Sequence, residues 1–198
     1  LPATVALLVI PGPIISVLFE RAAFTAADTA ATAPALAAYA AGLPAFVAIK
    51  VLQPGYFARE DTRMPMWAGA VSMVVNVVAA FGLFFLYGHV GIAAATSLAA
   101  WVNAVILLVG LRRKGMLNTD ANLRRRLPLL LLASLLMGVV VWIAAWLLGP
   151  WLLADSIAVR AAVMVALVAV GLVFFALFCQ LTRVIDFRRL LKLVLTRG

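Results

Sequence analysis

Charge, cysteine and histidine are scarce in this chain. Only 12% of its 198 residues are charged, seven of them acidic, with one cysteine and one histidine. A soluble domain carries about twice that share of charge. Cys179 has no second cysteine for an internal disulfide. With His89 alone as well, no cluster of His, Cys and carboxylate residues has metal-ligand spacing. Neither a nucleophile elbow nor a phosphate-cradling glycine loop is present. The chain therefore reads as a non-enzyme without a cofactor.

Apolar residues make up 67% of the chain, and its mean hydropathy is +1.16. This is the composition of an integral membrane protein. The net charge of +9 does not point to nucleic acid, because the basic residues are not interleaved with stacking aromatics on a polar surface. They sit in short clusters between apolar runs, as membrane topology requires.

A bilayer core of about 30 Å takes about 20 apolar helical residues. Six runs reach that length: 1–19, 30–53, 64–87, 91–111, 127–149 and 161–181. Lipid satisfies no backbone polar group, and a barrel would show short alternating strands. The expected fold is all-α, a polytopic bundle of six transmembrane helices. The chain starts at Leu1 with no basic residue before its first apolar run. That run reads as a true span entered mid-protein, and the sequence as the C-terminal piece of a longer one.

Thirteen of the sixteen basic residues fall on one side: Arg59 and Arg63, the 112–126 loop, and the tail from Arg183 to Arg197. Only Arg21 and Arg160 lie opposite. The positive-inside rule makes the charged loops and both chain ends cytoplasmic. The basic 112–126 loop, containing Asn118-Thr119-Asp120, is also the expected boundary. Residues 1–111 form one group of four spans, and 127–198 a final pair with a basic tail. The pair is rich in Leu and Val and reads as lipid-facing, with Gly138 and Gly171 near mid-membrane.

Pro11-Gly12-Pro13 should break the first span, and Gly42 and Pro44 should kink the alanine-rich second one, placing it inside the bundle. Thr25 or Asp28 should cap that second helix. Ser72, Asn76, Thr96, Ser97 and Asn103 are polar at membrane depth and should hydrogen-bond between helices. Trp67, Tyr87 and Trp151 read as interfacial anchors.

The most unusual stretch is Tyr39 to Trp67. Its apolar helix carries Lys50, with no acidic residue within nine positions, and is expected to break at Gln53-Pro54-Gly55. The charged turn Arg59-Glu60-Asp61-Thr62-Arg63 follows, and Pro65 opens the next span. Lys50 lies six residues before Tyr56, about 9 Å of helix rise, so it reads either as snorkelling to the headgroups or as a cation facing a cavity.

Three motifs, P-x-x-x-x-L-F-E-R-x-x-F-T-x-x-D at Pro13–Asp28, A-Y-x-x-G-L-P-A-F at Ala38–Phe46 and K-V-L-x-P-x-Y-F-A-R-E-D-T-R-x-P at Lys50–Pro65, resemble the MviN/MurJ-type lipid II flippases. This family belongs to the multidrug/oligosaccharidyl-lipid/polysaccharide exporter superfamily. The resemblance covers the whole chain, as helices nine to fourteen of a fourteen-helix transporter. It implies two lobes alternating access to a cationic cavity, with most of the second lobe and the extra C-terminal pair in this chain.

The implied substrate is lipid II, moved across the bacterial inner membrane with membrane potential or a coupling ion as the driving force. Its partners would be membrane lipids and the N-terminal lobe of the same protein. Lys50, Arg59, Asp61 and Arg63 are the candidate substrate-transport residues, and Gly138 and Gly171 the candidates for a groove holding the lipid tail. Some family members bind sodium through an Asn, an Asp four residues later and a Thr on the next helix. Asn76 and Thr96 match, but Ala80 stands at the Asp position. Two alternatives are export of another polyprenyl-linked oligosaccharide or drug, and a membrane scaffold subunit that transports nothing.

Overall fold

The computed structural model describes residues 1–21, 23–115, 121–152 and 156–182, without the side chains of 121–124. The described residues are helical and contain no strand. They form α1 (Pro2–Val9), α2 (Pro11–Phe19), α3 (Ala26–Ala40), α4 (Leu43–Phe57), α5 (Arg63–Tyr87), α6 (His89–Arg113), α7 (Ala121–Leu147), α8 (Gly149–Leu152) and α9 (Ile157–Leu181). Among the described residues, five helical segments are long and apolar enough to cross a membrane, with α3 and α4 counted together. The number is six if the bent pair α1 and α2 forms one span. The tail arginines, Lys192 and the Asn118-Thr119-Asp120 stretch lie outside the described residues.

Two compact units divide the chain. One contains α1, α7, α8 and α9; the other contains α2 to α6. In the first, α7 takes α1 on one side and α9 on another. Small residues permit both approaches. A Cβ at Gly138 would lie 2.4 Å from a Val5 methyl, and one at Gly171 would lie 3.0 Å from Val141. Ser134 is buried and spends its hydroxyl on its own helix, at the carbonyl of Leu130, 2.8 Å away. Its hydroxyl is thereby satisfied without water.

The second unit is built around α6. Helices α3, α4 and α5 all pack on it. Its buried positions are mostly small, including Gly91, Ala93, Ala95, Ser97, Ala99 and Ala100. Small side chains let backbones approach, which is how helices associate where burial in lipid offers no advantage. The alanine-rich second span is thus less enclosed than α6, although both are rich in small residues.

That second span begins with a full capping box. Thr25 Oγ1 accepts the Asp28 amide N–H, while the Asp28 carboxylate accepts the Thr25 amide N–H at 2.8 Å. It breaks between α3 and α4 where Pro44 has no N–H to continue the ladder. There the Gly42 amide turns to Tyr39, 3.0 Å away, leaving the Ala38 carbonyl without its usual helical donor. The Ser97 hydroxyl of α6 donates to that carbonyl, and Trp101 Nε1, one turn further along, donates to Ala41 at 3.0 Å. Gly42 is required for the approach: a Cβ there would come 2.6 Å from Ser97 Oγ.

The expected break at Gln53-Pro54-Gly55 does not occur. α4 runs through Pro54 to Phe57 and ends with the Ala58 N–H donating to the Pro54 carbonyl at 2.9 Å. Proline removes one ladder bond, yet the packing of Tyr56 holds the last turn in place.

Candidate functional site

The Lys50–Pro65 motif folds around Tyr56. Its side chain is fully buried, and its hydroxyl donates to the Leu107 carbonyl of α6 at 2.7 Å. Ala68, Leu107 and Leu111 are buried beside it, with Ile49, Leu52 and Met64 packed against them. Gly110 supplies the space; a Cβ there would lie 2.3 Å from the tyrosine oxygen. Tyr56 thus fastens the end of α4 to α6.

The turn that follows is held by its own backbone. The Tyr56 carbonyl accepts the N–H groups of Arg59, at 3.0 Å, and Asp61, at 3.2 Å. Glu60 has φ +56°, a left-handed conformation more often taken by glycine. Asp61 then works in two directions. Its Oδ1 accepts the Met64 N–H at 3.2 Å at the start of α5, and its Oδ2 pairs with Lys114 at the end of α6. Lys114 Nζ also lies 5.7 Å from the centre of the Tyr56 ring.

The Lys114 ammonium, followed by the Met64 N–H, holds the Asp61 carboxyl below its ordinary value of 3.8. A carboxyl lowered in the folded state adds stability above the unfolded value, and loses it as pH falls through the lowered folded value. The melting difference between wild type and Asp61→Asn should therefore be constant from about pH 8 to pH 5 and vanish below the ordinary aspartate range. Thermal melts of the full-length protein across pH check this. A difference that disappears at neutral pH would show that another group carries it.

Of the transport candidates, only Asp61 is paired among the described residues. Arg59 and Arg63 are exposed at the turn and at the first position of α5. Lys50 is exposed on α4 and has no hydrogen bond or ion pair with the described residues. Tyr56 and Lys114, which organise the turn, were not singled out by the sequence. Their partners lie 51 and 53 residues away.

Asn76 and Thr96 meet in one cavity of about 260 Å³ between α4, α5 and α6, together with Ser72 and Asn103. Interhelical bonding holds for Ser72, which donates to the Ala99 carbonyl at 2.8 Å, and for Ser97. Thr96 instead donates to its own helix at Ile92, 3.1 Å away. No carboxylate lines the cavity, and no group of three or more His, Cys, Asp or Glu gathers among the described residues. This donor set does not fit a sodium site containing an aspartate.

In the first unit, Gly138 lines an apolar groove of about 430 Å³ with Val5, Val9, Leu135, Val139 and Trp142. Gly171 is buried against Val141 and Met137 of α7.

Residues 1–162 match the family described as lipid II flippase MurJ. The chain belongs to this family. It is 42% identical over 178 residues to the probable lipid II flippase MurJ of Rhizobium meliloti (strain 1021), covering 89% of this chain and 33% of that protein. To the corresponding Vibrio cholerae protein it is 35% identical over 176 residues, covering 86% and 32%. A solved lipid II flippase MurJ in an inward closed conformation superposes with TM-score 0.67 at 25% identity, covering 90% of this chain and 36% of the solved one. The chain thus spans about a third of the length of these MurJ relatives, and it is a multi-pass membrane protein.

Proposed function

We propose that this chain is the second-lobe and C-terminal part of a transporter that moves lipid II from the inner to the outer leaflet of the bacterial cytoplasmic membrane. The observation that carries the reading is the family match over residues 1–162, joined to a helical fold like that of a solved flippase. Transport is by alternating access, driven by membrane potential or an ion gradient, with no covalent step and no catalytic residue. Residues 1–111 contribute four helices to the lobe and 127–198 the extra pair. The charged loops and both chain ends face the cytoplasm, following the basic-residue count.

Three cations suit a pyrophosphate-linked headgroup: Lys50, Arg59 and Arg63. Cations in a low-dielectric site attract such a group strongly. Asp61 holds the turn in place through Lys114. The apolar groove beside Gly138 suits a polyprenyl tail, whose binding follows volume and shape. Gly171 is assigned to the same tail-binding pair of helices.

The test uses the full-length protein in cells depleted of their own flippase, with outer-leaflet lipid II detected by an impermeant lipid II-binding probe. Wild type should restore the signal. Lys50→Ala should lower it about tenfold, a loss of about 1.4 kcal/mol, and Lys50→Arg should retain most of it. Full activity of Lys50→Ala at normal expression would leave Lys50 a snorkelling residue. Failure of wild type itself would overturn the lipid II reading, in favour of another cargo or a scaffold.

A further inference from the structure

The cavity between α4, α5 and α6 has an unusual polar lining for a site within apolar helices. Two of its hydroxyls have spent their protons on backbone carbonyls, Ser72 on Ala99 and Thr96 on Ile92. Each keeps an oxygen able to accept. Asn103 Oδ1 is buried and has no partner among the described residues. A buried acceptor without a donor is costly, the more so where lipid offers none. Asn76 and Asn103 add amide N–H donors to these acceptors, so the lining is mixed, and water, which both donates and accepts, can satisfy all of it.

The spacing of these groups decides what fills the cavity. The Ser72–Ala99 bond sets the register of the antiparallel pair α5 and α6. Asn76 then stands level with Thr96, while Asn103 lies beyond Ser72 toward the other end. Thr96 and Asn103 are seven residues apart, about 10 Å along the helix. An ion held between Asn76 and Thr96 would leave Asn103 out of reach, and no carboxylate is present to offset its charge. Water needs only room and two to four polar partners, and about 260 Å³ holds several molecules. The rest of the lining is apolar, including Phe46, Ile49 and Met73, so the polar groups follow one another along α5 and α6.

We propose that this cavity is a hydration site, holding a short file of water molecules hydrogen-bonded to Asn103, Ser72, Asn76 and Thr96, and that it does not bind sodium. The proposal concerns the second unit alone and does not depend on which substrate is moved.

The test is thiol modification in the full-length protein, with Cys179→Ala and every other native cysteine removed. Single substitutions Asn76→Cys and Thr96→Cys are compared with Leu172→Cys, an exposed apolar position of α9. A small water-soluble methanethiosulfonate reacts with thiolate, which forms only where water reaches the sulfur. Both cavity positions should react at least about tenfold faster than Leu172→Cys. Replacing potassium by sodium should leave their rates unchanged. Adding Asn103→Leu, which fills the cavity, should slow Thr96→Cys. If that double variant fails to fold, the single-variant rates decide. Rates no faster than at Leu172→Cys, or saturable protection by sodium but not potassium, would overturn the proposal.

Discussion

Tyr56→Ala is expected to destabilise the full-length protein by about 3 kcal/mol, the lower end of the usual 3–5 kcal/mol for truncating a large buried aromatic. The lower end applies because lipid chains are as apolar as a protein core, so the loss is one of packing and cavity formation. The ring is fully enclosed by Ala68, Leu107 and Leu111, and its hydroxyl reaches the Leu107 carbonyl at 2.7 Å. Tyr56→Phe should cost only about 0.6–1.7 kcal/mol, the range for a single interhelical hydrogen bond in a membrane protein. The Ala variant should also loosen the Arg59–Arg63 turn, because the Tyr56 backbone holds two of its amides. Unfolding in lipid nanodiscs gives the stabilities, and protease access at the turn reports its order. An Ala variant that melts with wild type would remove Tyr56 from its place as anchor.

The span pattern was legible because length and hydropathy are local properties. The breaks at Pro11-Gly12-Pro13 and Gly42-Leu43-Pro44 were legible because proline lacks a donor. Yet the same signal at Gln53-Pro54-Gly55 misled, because packing around Tyr56 carries α4 through it. Which faces are inside the protein was not. In a bilayer the lipid-facing side is as apolar as the core, so Val78 and Phe81 stay exposed while Leu107 and Leu167 are buried. These three residue types overlap in character, and hydrophobicity cannot sort them.

Tyr56 shows the same limit from the other side. A tyrosine at a helix end beside charged residues resembles an interfacial anchor. It is buried because Gly110, on a different helix, leaves room for its hydroxyl. Lys114 likewise reads as one of a run of topology-setting cations until folding brings it to Asp61. Pairings of this kind are written in two distant places, and neither place carries the signal alone. Polar membrane residues were legible as a class, yet their roles divided. Ser72 and Ser97 join helices, Thr96 bonds its own helix, and Asn103 finds no protein donor among the described residues.

The second large effect is expected at Gly91, where α5 and α6 meet. Only Gly88 separates the two helices, at φ +57°, so the chain reverses with almost no loop. The first turn of α6 is consequently pressed against the last turn of α5. A Cβ at Gly91 would stand 2.2 Å from the Leu83 carbonyl oxygen and 2.5 Å from its carbon. Both are backbone atoms of a helix, so no rotamer change relieves the clash and the helices must part. Gly91→Ala should therefore cost about 1–3 kcal/mol, the usual range for overpacking. Gly91→Leu should keep the protein from reaching its folded state. The parting should extend to the His89–Ala31 contact, 2.8 Å long, which ties this end of α6 to α3. Gly88→Ala introduces backbone strain of about 1–3 kcal/mol without any close contact, so it separates strain from crowding. Thermal melts of the three variants, with a cysteine-pair crosslink between positions 31 and 89, measure both consequences. Normal melting and crosslinking of Gly91→Leu would mean that α5 and α6 do not approach this closely in the folded protein.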